Sequence, residues 1–210
     1  EYVEFLVERI ANVVAQAWAA RKPASAGWGL GHGVLAINRR SVYADGTAQM
    51  YGSTDVQNFR GFEGGEDHGV EVLCFWDADG KLIATSINVA CPAQEVEGLW
   101  QIDADLWHPV REALRAKHGN DLVVLAWTGA AGDQSPHFIL YKKEQEEMRN
   151  RRGLTERQVI AVKIADEVDR ALVPFRRLRD AFGDSIEIML ELHSNWNLPS
   201  ALRIARAVEP

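Results

Sequence analysis

The stretch Asp121-Leu-Val-Val-Leu-Ala-Trp127 runs directly into Thr128-Gly-Ala-Ala-Gly-Asp-Gln-Ser-Pro-His137. An apolar run of strand length with no polar alternation reads as a strand buried on both faces, the kind found inside α/β sheets. Ligands of such sheets bind outside the carboxyl ends of the strands. The loop that follows is built of small residues and carries Asp133, Ser135 and His137. Glycines at 129 and 132 let backbone approach a ligand closely, and Pro136 stiffens the turn that bears the hydroxyl. The spacing predicts half of an active site.

Working outward, Val3, Leu6, Ile10, Val13, Ala17 and Trp18 recur at helical spacing, so an amphipathic helix is predicted over 2–21. Gly27 to Ala36 is glycine-rich and strand-like. Residues 42–68 are polar, with Gly, Asp and Asn throughout, and predict a long irregular excursion. Residues 69–76 and 81–90 form a hairpin through Asp77-Ala-Asp-Gly80, which sets Cys74 opposite Thr85. Cys91 then lies about 20 Å further along that strand, too far for a disulfide with Cys74. Ile102, Leu106, Val110 and Leu114 define a second helix closed by Gly119. Thr155-Glu-Arg-Gln158 is a capping box opening a helix to about Leu172, before Pro174. A short helix to Phe182, a strand over 186–191 and a helix from about Leu198 follow. Alternating strands and helices give an α/β fold, a layered mixed sheet with flanking helices.

Of the 210 residues, 47% are hydrophobic and 25% charged, the balance of a globular protein. The net charge of −7, with both signs interspersed, gives no footprint for nucleic acid. No apolar run approaches the roughly 20 residues of a transmembrane helix. The chain starts at Glu1 inside a helical pattern and stops at a helix end, so it reads as a fragment; composition fixes neither oligomeric state nor compartment.

Asp133 and Ser135 suit a proton-transfer and nucleophile pair, with loop amides as an oxyanion hole. They equally suit an Asp-x-Ser-Pro turn that caps its own backbone. His137 is placed either to orient Ser135 or to lie on the surface. Arg39 and Arg40 offer guanidinium forks for a substrate's polar group, or an ion-paired strand end. Trp76, Trp100, Trp107 and Trp127 read as core.

Over residues 1 to about 172 the sequence resembles the amino-terminal part of the neutral (non-lysosomal) ceramidase family. Gly132-Asp-Gln-Ser-Pro-His137 stands against that family's G-D-V-S-P-N, and Asn38-Arg39-Arg40-Ser41 against its N-R-S-P region. The resemblance implies a zinc-dependent amidase that cuts the N-acyl bond of ceramide, a lipid amide, with Ser135 and Asp133 at its catalytic site; Arg39, Arg40 and His137, which replaces the family's Asn, are the candidate substrate-binding residues on their own chemistry. It also places Cys91 where the family carries a zinc-ligating histidine, with the remaining ligands outside the matched segment. Catalytic zinc takes three protein ligands plus water. The chain as it stands is therefore expected not to hydrolyse ceramide, and a non-catalytic α/β module that has lost its metal site is the other reading.

The tail, Pro174 to Gly183 followed by Ile186-Glu-Ile-Met-Leu-Glu-Leu-His193 and Trp196 to Ser200, resembles a β/α unit of an enolase-superfamily barrel of the mandelate racemase type. That resemblance implies an acid-sugar dehydratase parent, with Glu191 as a magnesium ligand at the strand's carboxyl end. One carboxylate alone makes no magnesium site. The expected division is a ceramidase-like domain over 1–173 and a barrel-like fragment over 174–210, a fusion or chimera joined near residue 173.

Overall fold

The computed structural model describes residues 1–183; the expected barrel-like β/α unit, with Glu191 and His193, lies outside the described residues. The fold is a mixed α/β arrangement with helices flanking a mixed four-stranded sheet. Its strands are β1 (Ser25–His32), β6 (Gly69–Trp76), β7 (Leu82–Val89) and β8 (Val123–Thr128), in the order β1-β6-β7-β8. The first three pair antiparallel and β8 runs parallel to β7.

The hairpin between β6 and β7 forms as the sequence predicts. Gly80 takes the positive φ that the turn demands, and Cys74 pairs with Thr85, its Sγ 3.6 Å from the threonine hydroxyl. Both cysteines are buried and free.

One face of the sheet is covered by α2 (Trp107–His118) and α4 (Glu156–Phe182). Val70, Val72, Ile87, Val89 and Val124 of the sheet meet Val110 and Leu114 of α2 and Ile160, Ile164 and Val168 of α4 in one core. The helix α4 sits tightly on β1 because that strand presents glycine. A Cβ on Gly29 would stand 2.8 Å from Cβ of Ala171, and one on Gly31 would stand 2.7 Å from Cβ of Glu167. A hydrogen bond of 2.8 Å between His118 Nε2 and Asp169 Oδ1 ties α2 to α4.

Several expectations are corrected. Among the described residues, strand β8 stands at the edge of the sheet rather than in its middle, and one of its faces is uncovered: Val123, Leu125 and Trp127 are exposed while Val124 is buried. Strand-like apolar sequence records two faces suited to burial, and the described residues cover only one. The helix α1 (Tyr2–Ala19) forms, but all its residues are exposed. Ile102 is fully exposed ahead of α2, and Trp100 is likewise outside the core. Residues 42–68 are not irregular throughout. β3 (Arg40–Tyr43) lies between β4 (Ala48–Met50) and β5 (Phe59–Phe62) in a small sheet whose strands are too short to show alternation.

The capping box is realised. The Thr155 N–H donates to Gln158 Oε1 at 2.9 Å, and the Gln158 N–H donates to Thr155 Oγ1 at 3.3 Å. The helix it opens does not stop before Pro174 but carries that residue inside it. Phe175, one residue further, packs its ring 5.7 Å from that of Trp76, and this contact lies with the continued helix rather than a break.

Candidate functional site

A two-strand pairing assembles the site. β2 (Ile37–Asn38) runs antiparallel to β9 (Gln134–Ser135), matching Ile37 with Ser135 and Asn38 with Gln134. The segments 38–41 and 132–137, nearly a hundred residues apart, thereby become neighbours. The Arg39 N–H donates to the Asp133 carbonyl at 2.8 Å, and its guanidinium Nη2 donates to the Gly132 carbonyl at 2.7 Å.

Asn38 is the hub of this corner. It is fully buried, and its Nδ2 donates to Asp133 Oδ2 at 2.8 Å. Its Oδ1 accepts the Arg40 N–H at 2.9 Å, and its own N–H donates to Glu66 at 3.0 Å. Gln134 Nε2 donates to the other Asp133 oxygen at 3.0 Å. Both carboxylate oxygens of Asp133 are therefore engaged with amides.

The side chain of Ser135 is also fully buried. Its hydroxyl accepts the His137 N–H at 3.2 Å and the Tyr51 hydroxyl at 3.3 Å. Tyr51 has a left-handed φ of 53° and in turn accepts from Arg39 Nη1 at 3.0 Å. The same guanidinium lies 5.3 Å from the centre of the tyrosine ring and reaches Gln94 Oε1 at 3.1 Å. Arg39 thus spends its fork on the protein, and Arg40 pairs with Glu63.

A nucleophilic serine needs a base within hydrogen-bond reach of its hydroxyl. His137 meets Ser135 Oγ through its backbone N–H, and its ring nitrogens lie near carboxylates, Nδ1 3.8 Å from Glu95 and Nε2 3.8 Å from Glu97. Two donors point at Ser135 Oγ, and the nearby histidine ring and aspartate are committed to other groups. This arrangement fixes a turn and supplies no general base.

Cys91 follows β7 and is fully buried in the core. Its Sγ lies 3.9 Å from the Leu35 carbonyl and 3.8 Å from that of Pro92. Burial first, then the negative charge of Glu95 and Asp105, pushes its thiol up to about 12. Catalytic zinc takes three converging protein ligands, and the neighbours recorded for the Cys91 sulfur are backbone carbonyls. Among the described residues, no group of three or more His, Cys, Asp or Glu side chains could hold a metal ion. The described residues do not fit zinc.

An open cleft of about 540 Å³ lies at the carboxyl ends of β7 and β8. His32, His68, Glu71 and Asn88 line it beside Gly129 and Ala130; Ser135, Asp133 and His137 do not. Sequence reading missed Tyr51, Gln94 and Glu95. Tyr51 stood in a polar stretch without periodicity, and no local pattern tied it to a serine 84 residues away.

The sheet, the two covering helices and the paired loop define a layered α/β domain. Its relatives are structural: the sequence matches no family model and no curated protein. A solved ceramidase complexed with C2 superposes with a TM-score of 0.50 at 17% identity, covering 76% of this chain and 24% of its own. The neutral ceramidase from Pseudomonas aeruginosa gives the same TM-score and identity, covering 80% of this chain and 25% of its own. The fold is ceramidase-like, and the chain spans about a quarter of the length of these solved proteins. No helix among the described residues is long and apolar enough to cross a membrane.

Proposed function

We propose that this chain is a ceramidase-like portion of an N-acyl amide hydrolase architecture and that, as it stands, it does not cleave amides. The observation that carries the reading is the fully buried Ser135, held as an acceptor in a ceramidase-like fold with no base at its hydroxyl. On this reading Ser135 and Asp133 keep positions inherited from an active loop. Arg39 and His137 brace that loop, and Arg40 braces β3 against Glu63. A lipid amide is the substrate class of the parent architecture, and zinc is its cofactor; the described residues hold no group of three candidate ligands for it.

The test is hydrolysis of a short-chain fluorescent ceramide by the purified chain with added zinc, beside Ser135→Ala. Release of fatty acid at the rate of the protein-free control by both is expected. Turnover that the intact chain supports and Ser135→Ala lacks overturns the reading.

A further inference from the structure

One face of the four-stranded sheet lies under α2 and α4; the other is bare among the described residues. Its make-up follows from the register, because directly paired residues point to the same side of a sheet. Leu125 of β8 stands beside Ser86 of β7, Ser86 beside Leu73 of β6, and Leu73 beside Trp28 of β1. The neighbouring row is Val123, Ala84, Phe75 and Ala26. The one hydroxyl in these rows, that of Ser86, accepts the Trp127 Nε1–H at 2.7 Å. In the third row Asn88 donates to Glu71 across the same face at 2.7 Å. The polar side chains are thus paired within the face, while Val123, Leu125 and Trp127 are each more than half exposed.

The chain carries an element of matching character. On α1 the apolar stripe Val3, Leu6, Ile10, Val13 and Ala17 runs along one side, and Glu4, Glu8, Asn12 and Gln16 run along the other. None of its residues is buried. A lone helix of 18 residues is marginal in water, and such a helix owes its stability to the packing of its apolar face. The helix α3 (Lys142–Arg151) also buries nothing, but apart from Met148 it is polar all round. Its Glu147–Arg151 pair, one turn apart, supports it without any cover.

We propose that α1 of one copy lies on the bare sheet face of a second copy, in a two-fold pair that exchanges both helices. An α1 about 27 Å long and about 10 Å across matches the length of β7 and covers two strands. Two such contacts, counted on both partners, bury about 1,000 Å², the least that a specific interface needs. Only residues 20–24 join α1 to β1, and so short a hinge favours exchange with another copy over closure on its own sheet.

The experiment is sedimentation equilibrium of the full chain, with Ile10→Lys on the helix and Leu125→Lys on the sheet. Both sites are exposed in the single chain, and circular dichroism checks that the variants fold. Val13→Lys and Val123→Lys replace any that does not. The parent is expected at twice the chain mass, and each variant alone at half of that. An equal mixture of the two variants should regain dimer, because one of its two contacts then joins an intact helix to an intact face. A parent that is monomeric at every concentration overturns the proposal, whether α1 closes on its own sheet or another partner covers the face. A dimer that survives either substitution overturns it too, since the contact then uses only helix or only sheet. A mixture that stays monomeric contradicts the exchange.

Discussion

The hydroxyl of Tyr51 donates to that of Ser135 across 3.3 Å, and the Arg39 guanidinium donates to Tyr51 from the other side at 3.0 Å. This chain of donors ends on a serine with no exposed surface. Where a hydrolase would aim a base at the hydroxyl, this protein aims hydrogen-bond donors.

Ser135 therefore contributes to stability. In Ser135→Ala the part-buried His137 N–H and the Tyr51 hydroxyl lose their acceptor, which costs about 1 kcal/mol or somewhat more. Urea denaturation should show that loss. Tyr51→Phe, which removes a donor and leaves an acceptor behind, should cost about 1 kcal/mol.

The glycines of β1 set how closely α4 approaches the sheet. A methyl group at position 29 or 31 meets not only side chains but the α4 backbone, at 3.2 Å from the Ala171 carbonyl oxygen and 3.3 Å from that of Glu167. The helix must move outward as a whole. Gly29→Ala and Gly31→Ala should each destabilise by about 1–3 kcal/mol in chemical denaturation, the usual range for overpacking.

Neither cysteine should behave as a reactive thiol. Burial raises Cys74 to about 11 and Cys91 to about 12, so both stay protonated near pH 8. Titration with an aromatic disulfide reagent should label neither in the native chain and both after denaturation.

Pro174 sits inside α4, where it lacks the N–H that would bond the Arg170 carbonyl. It is exposed, so replacement creates no cavity. Pro174→Ala should stabilise the chain by up to about 3 kcal/mol, read as a raised denaturation midpoint.

Local signals in the sequence translated well. The Asp77-Ala-Asp-Gly80 turn set the register that brings Cys74 to Thr85, and Thr155 with Gln158 opened α4. Both depend on residues a few positions apart. Strand β8 was legible as a strand but not as the last strand of the sheet the described residues form, because its apolar sequence is silent on which face the rest of the chain covers. The motif loop was legible as an unusual turn. Its partners were not: the Ile37–Ser135 pairing and the Tyr51 contact join residues more than eighty positions apart. Glu95 carried no signal, since a lone glutamate in a polar stretch reads as solvent-facing until burial is known.

The most direct test is the zinc content of the purified chain after equilibration with zinc and removal of the excess, read by inductively coupled plasma mass spectrometry beside Cys91→Ala. With the Cys91 sulfur set among backbone carbonyls and no group of three candidate ligands among the described residues, far less than one zinc per chain is expected, and the same trace in the variant. One tightly held zinc per chain that disappears in Cys91→Ala would contradict the account.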